Sequence, residues 1–142
     1  MLYKIVPTPK FQNDIKHYKK RFNNVTKELD KIIGKLATGE LLGDNVPKVK
    51  IKEIDEEIRK VRVINTDSNK GKSNGYRLIY YVVKKYGNIF LLKVYYKKDK
   101  ENITADEIAQ LIKENIEWFK RTSQTSSFYM STFDKHFTIY MI

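Results

Sequence analysis

The chain has no cysteine, two histidines and three prolines among its 142 residues. The missing cysteines exclude a disulfide framework, a thiol nucleophile and a cysteine metal site. His17 and His136 stand far apart in sequence, which argues against a zinc site or a histidine-based triad. No apolar run approaches the roughly 18 residues of a membrane-spanning helix. The opening MLYKIVPTPK has neither a long apolar stretch nor a small-residue cleavage site. A soluble cytoplasmic protein is therefore expected. A hydrophobic content of 41% argues against wholesale disorder, and the length suits one domain with a real core.

Positive charge is what the chain has in excess. The net charge is +11 and the pI about 9.6. Between residues 59 and 98 eleven Lys and Arg stand against one acid, Asp67, so this block alone carries +10. Charge gathered in this way points to a polyanion, an acidic protein partner, or both.

The patterning predicts an α+β domain over residues 1–121, followed by a C-terminal extension, 122–142. Leu2–Val6 reads as a short strand stopped by Pro7 and Pro9. Phe11, Ile15 and Tyr18 have helical spacing, as do Val25, Leu29, Ile32, Ile33 and Leu36. These segments form an α-hairpin, with Asn24 able to cap the second helix and Gly39 ending it. One or two strands are expected in 49–65, with a possible break at the acidic segment Glu53–Glu57. Period 2 sets Val61 and Val63 on one face and Lys60 and Arg62 on the other. Tyr76–Lys84 is strongly β-forming, and the turn Tyr86-Gly87-Asn88 joins it in an antiparallel hairpin to Ile89–Tyr96. Thr104 caps a last helix with Ile108, Leu111, Ile112 and Ile116 on its apolar face. Residues 122–142 turn Ser/Thr-rich and then aromatic, and read as an extension packing on the domain, a docking segment or a disordered tail.

The most informative stretch is Lys70-Gly71-Lys72-Ser73-Asn74-Gly75-Tyr76-Arg77-Leu78-Ile79-Tyr80-Tyr81. It is not a P-loop, which would need glycine where Thr66 stands and a helix where the chain reads as strand. Its loop lysines, Lys70 and Lys72, suit a phosphate backbone, and Asn74-Gly75 returns the chain to the sheet. Arg77 carries a planar fork of donors suited to phosphate at any physiological pH. Lys93, Tyr95 and Lys97 repeat the alternation of Lys60 and Arg62 on the last strand. If these strands are neighbours, one sheet face becomes a cationic patch with tyrosines between the charges, a common way to hold single-stranded RNA. The candidate RNA-binding residues are Lys70, Lys72, Tyr81, Lys93 and Lys98. Lys98–Glu101 otherwise reads as a solvated turn.

Three segments together resemble the RelE/ParE superfamily of bacterial type II toxins, and most closely its RelE/HigB-like members. They are Ile58-Arg59-Lys60-Val61-Arg62-Val63, then Lys70–Tyr81, then Leu91 to Thr104 with Tyr95-Tyr96-Lys97-Lys98-Asp99. The resemblance covers roughly residues 2–118. It implies two N-terminal helices packed on a small, mostly antiparallel twisted sheet of about four strands, with a C-terminal helix. It implies a ribosome-dependent endoribonuclease that cleaves mRNA in the A site without metal or cofactor, leaving a 2′,3′-cyclic phosphate. A cognate antitoxin would be the protein partner. Carried over residue by residue, Arg77 binds the scissile phosphate, Lys60 and Arg62 occupy the basic strand positions, and Lys60 is the candidate base. Lys97 falls near the second catalytic arginine, a departure because lysine lacks the guanidinium fork. The tyrosine of the pattern aligns near Ile103, and Tyr95 or Tyr96 stands as its substitute. The catalytic set is thus Lys60, Arg62, Arg77, Tyr95 and Lys97. Competing readings are a ParE-like DNA gyrase inhibitor, a basic nucleic-acid-binding module without catalysis, and an inactive relative.

Overall fold

The computed structural model describes residues 2–46, 56–68, 75–100 and 102–122. Its elements in chain order are β1 (Lys4–Pro7), α1 (Pro9–Lys19), α2 (Val25–Ala37), β2 (Asp44–Asn45), β3 (Glu56–Val63), β4 (Tyr76–Val83), β5 (Asn88–Tyr96) and α3 (Ala105–Thr122). The expected α+β class is observed. Among the described residues the sheet has five strands rather than about four, in the order β1-β5-β4-β3-β2. Pairing is antiparallel except between β1 and β5, which run parallel. The sequence could not show the two-residue β2, whose pattern is too short for any period.

Strand β4 is the centre. Every residue from Tyr76 to Val82 is buried, because both faces of the sheet are covered. Tyr76, Leu78, Tyr80 and Val82 join Val61 and Val63 against α1 and α2. Ile79 and Tyr81 join Ile58, Phe90, Leu92 and Tyr95 against α3, which contributes Ile108, Leu111, Ile112, Trp118 and Phe119. Burying each such large side chain stabilises the fold by roughly 1.5–3 kcal/mol. The period-2 reading of β3 holds, since its valines face the hairpin. Glu56 and Glu57 open β3, and the rest of the expected break falls on residues outside those described. Glu57 is neutralised by Arg59 at 3.1 Å, which removes the cost of placing it there.

β1 ends at Pro7 while β5 continues to Tyr96, so the outer edge of β5 needs other partners. Helix α1 supplies them from side chains. The Thr8 hydroxyl donates to Leu91 O at 2.7 Å, and Thr8 also caps α1 ahead of Pro9 at the first helical position. The Asp14 carboxylate accepts Val94 N–H at 3.1 Å and the Tyr18 hydroxyl accepts Tyr96 N–H at 2.9 Å. At α2 the expected Asn24 cap takes another form. Its side chain makes no cap bond. Instead Asn24 donates from N and Nδ2 to the Asp67 carboxylate, at 2.9 and 3.0 Å.

Gly75 meets a different constraint. A Cβ there would lie 2.1 Å from Val63 O, so only glycine lets β4 start this close to β3. The expected turn after β4 is a 3-10 turn, Lys84–Tyr86, closed by Gly87 at φ 67°. Thr104 caps α3 through its hydroxyl, which accepts Glu107 N–H at 3.1 Å, while Glu107 accepts Thr104 N–H at 3.3 Å. This reciprocal pair is a capping box. Four expectations fall wholly or partly outside the described residues: any strand in 47–55, the acidic residues Glu53 to Asp55, the loop 69–74 and the extension beyond Thr122.

Replacing Gly75 with alanine forces β3 and β4 apart and should destabilise the fold by about 1–3 kcal/mol, read as a lower urea midpoint. An unchanged midpoint would show that the close approach is not required. Asp14 yields a pH-dependent prediction. Burial pushes its carboxyl above the ordinary 3.8, against the opposing pull of Lys10. A raised carboxyl favours the proton-bound native state, so wild type loses stability as pH rises from 3.8 through the folded value. Asp14→Asn keeps an acceptor for Val94 N–H but cannot ionise. Its Tm relative to wild type should therefore rise between pH 4 and pH 7 (the two profiles staying parallel would refute this).

Candidate functional site

The register builds one row across three strands. Arg62 of β3 stands opposite Arg77 of β4, and Arg77 stands opposite Tyr95 of β5. Directly opposed side chains on one sheet face lie about 5 Å apart at Cβ. The next row is Lys60, Ile79 and Lys93. Lys60 and Arg62 therefore share the α3 face of the sheet with Arg77, as period 2 predicted, near the end where Gly75 starts β4.

A bulge decides that Tyr95 belongs to this face. The ladder between β4 and β5 shifts between Ile79 and Tyr80, so β5 holds one extra residue there. Phe90 and Leu92 point to the α3 side. Uniform alternation would send Tyr95 to the hairpin side. After the bulge, Val94 and Tyr96 pack against the hairpin instead, and Tyr95 turns toward Arg77 and α3. Lys93, at the shift, is half-buried near Asp14 and Lys10 of α1. The expected unbroken pattern of Lys93, Tyr95 and Lys97 on one face thus bends toward the β5 edge at Lys93.

Arg77 is only 5% exposed, and the guanidinium donates to Tyr76 O at 3.2 Å. Burial draws its pKa down, the Arg62 charge draws it further, and Tyr95 opposes both. Like charges held opposite each other on a sheet are destabilising, so the arrangement gains when an anion arrives. Tyr95 is 3% exposed. Burial pushes its phenol up, Arg77 pulls it down, and Glu107 pushes it up again. The hydroxyl is therefore a neutral donor at physiological pH. Glu107 is held below the usual carboxylate range, first by Lys100, whose Nζ lies 3.2 Å away. Burial also lowers Lys93, with Asp14 acting against it.

The remaining candidates scatter. Lys97 N–H donates to Gly75 O at 3.0 Å, extending the ladder one step past Tyr96 into the turn. Lys98 is exposed in the turn after β5. The turn is solvated as expected, and on its surface Asp99 pairs with Arg21 and Lys100 with Glu107. Tyr81 is 6% exposed and packs on Phe90 with ring centroids 6.0 Å apart. A ring with both faces covered offers no stacking surface, so Tyr81 belongs to the core rather than to an RNA contact. Tyr96 faces the hairpin, beside Phe22 at 5.1 Å, and is no substitute for Tyr95. Lys70 and Lys72 lie outside the described residues.

Glu107 and Lys100 also neighbour this site, which sequence reasoning missed. The spacing Thr104 to Glu107 was a legible signal, but its proximity to Tyr95 comes from the packing of α3. Among the described residues no cluster of three or more His, Asp or Glu could hold a metal ion. No helix among them is long and apolar enough to cross a membrane.

No protein-family model matches this chain, and no curated protein matches it. Among solved structures it is similar to the E. coli toxin RelE, determined as a double arginine-to-alanine mutant in the free state. The two are 17% identical, the match covers 82% of this chain and 97% of that one, and the TM-score is 0.44. A likeness of that degree assigns neither an activity nor a partner to this chain.

The opposed arginines yield a prediction about stability. Arg62→Gln removes the repulsion across β3 and β4 and should raise Tm at low ionic strength by about 2 °C. Added inorganic phosphate should raise the Tm of wild type more than that of the variant, because binding to the native state stabilises it. Equal phosphate increments in both would mean that Arg62 faces no anion site.

Proposed function

We propose that this protein is a metal-independent endoribonuclease toxin that cleaves mRNA in the ribosomal A site and is held in check by a cognate antitoxin. The observation that carries this reading is the buried Arg77 beside Arg62 and Tyr95 on one sheet face. The sequence resemblance to RelE/HigB-like toxins supports it through the same residues.

In such a reaction the 2′-oxygen attacks the adjacent phosphorus and the bond to the 5′-oxygen breaks. A 2′,3′-cyclic phosphate and a 5′-hydroxyl result. Negative charge grows on the phosphoryl oxygens, where a guanidinium fixed in a partly desolvated row stabilises it without reorganising. Arg77 takes the scissile phosphate, and Arg62 shares its charge. Lys60, one row along on the same face, is the candidate base for the 2′-hydroxyl proton. Lys97 or the neutral phenol of Tyr95 returns a proton to the 5′-oxygen. Tyr95 stands directly opposite Arg77 in the row, and burial keeps its phenol protonated. Lys93 and Lys98 would meet flanking phosphates.

Induced expression with mapping of mRNA 5′ ends tests the proposal. Wild type should produce frame-dependent cuts on translated messages, and Arg77→Ala should lower cleavage by about 10²–10³-fold. Growth arrest without cuts, accompanied by altered DNA supercoiling, would instead indicate a gyrase inhibitor. Neither arrest nor cuts would indicate a binding module or an inactive relative.

A further inference from the structure

The sequence concentrates charge in residues 59–98, yet the helical hairpin is basic in its own right. Residues 10–35 hold eight Lys and Arg against Asp14, Glu28 and Asp30. Acids elsewhere in the chain cancel this surplus in the total, which hides it from a count.

The hairpin also holds a groove. A cavity of about 530 Å³ opens between the end of α1 and the first half of α2, lined by Lys19, Phe22, Asn23, Thr26, Lys27, Asp30 and Lys31. Three ammonium groups face one carboxylate there. Lys31 also reaches Glu28, at 3.4 Å. Thr26 is 8% exposed, and its hydroxyl has no hydrogen-bond partner among the described residues. A buried hydroxyl without a partner is costly. The wall is firm, because the Phe22 ring packs against Tyr76 and Tyr96 at 5.9 and 5.1 Å.

We propose that this groove is a second phosphate-binding site, taking the backbone of an RNA strand on the side of the sheet opposite Arg62 and Arg77. The site rests on the RNA reading above and adds a separate surface to it. The protein would grip RNA on two sides, with the hairpin anchoring and the sheet face acting. Phosphodiester oxygens meet Lys19, Lys27 and Lys31, and Asn23 adds an amide donor. The Asp30 charge weakens the contact, which makes it a useful probe.

The test is fluorescence anisotropy with a single-stranded RNA of about 16 nucleotides, over a range of salt. Lys19 and Lys27 are both exposed, so their replacement leaves the core intact. Lys19→Ala with Lys27→Ala should weaken binding and flatten the log–log salt slope by about 0.7 for each phosphate no longer neutralised. Asp30→Asn should tighten binding. Arg77→Ala should weaken it independently, the two effects combining additively because the sites are distant. Unchanged affinity in the lysine and Asp30 variants, with Arg77→Ala still weakened, overturns the groove alone. A wild type that binds no RNA overturns the groove and the RNA reading together.

Discussion

The burial of β4 on both faces is the constraint from which the rest of the structure follows. A strand in the middle of a sheet can bury seven consecutive residues, Tyr76 to Val82, only if cover exists above and below it. The α-hairpin covers one face and α3 the other. Arg77 is the single charged side chain in that buried run. Burying a guanidinium is costly unless its surroundings repay it, and here the neighbouring Arg62 increases the cost. Under the function proposed above, an anion on this face would offset that cost.

The second dependence runs through β5. Its outer edge outlasts β1, and α1 completes it with Thr8, Asp14 and Tyr18 in place of a sixth strand. The bulge between Ile79 and Tyr80 sits beside this transition. One extra residue inverts the phase of every side chain after it. Tyr95 thereby reaches Arg77, and Tyr96 reaches the aromatic group of Tyr18, Phe22 and Tyr76. That group in turn stacks under Arg21, which pairs with Asp99 in the turn beyond β5. The edge repair by α1 and the shape of the candidate site are thus one piece of packing.

Much of the fold was legible in the chain. Helical spacing placed α1, α2 and the apolar face of α3 through Ile108, Leu111 and Ile112, because a buried stripe repeats with the helix period. Period 2 in β3 placed Lys60 and Arg62 opposite Val61 and Val63, and Gly87 marked the hairpin. Asn24 is deceptive, since it does stand at a helix start but its partner, Asp67, lies 43 residues away. Tyr81 is deceptive for a related reason. A tyrosine among cations resembles a stacking ring until α3 is seen to cover that part of the sheet.

By itself, then, the sequence determined which residues are apolar, where helices and strands begin, and that Arg77 lies on a strand among aromatic neighbours. Local periodicity and turn chemistry act over a few residues, so they survive without a fold. Only the tertiary structure decided that Arg62, Arg77 and Tyr95 form one row. It also decided that Lys93 bends toward the β5 edge, that Glu107 stands near Tyr95, and that the hairpin carries a basic groove. Each of these depends on register, on a single inserted residue, or on which helix covers which face. Those choices are settled by long-range packing, and a linear pattern holds no record of them.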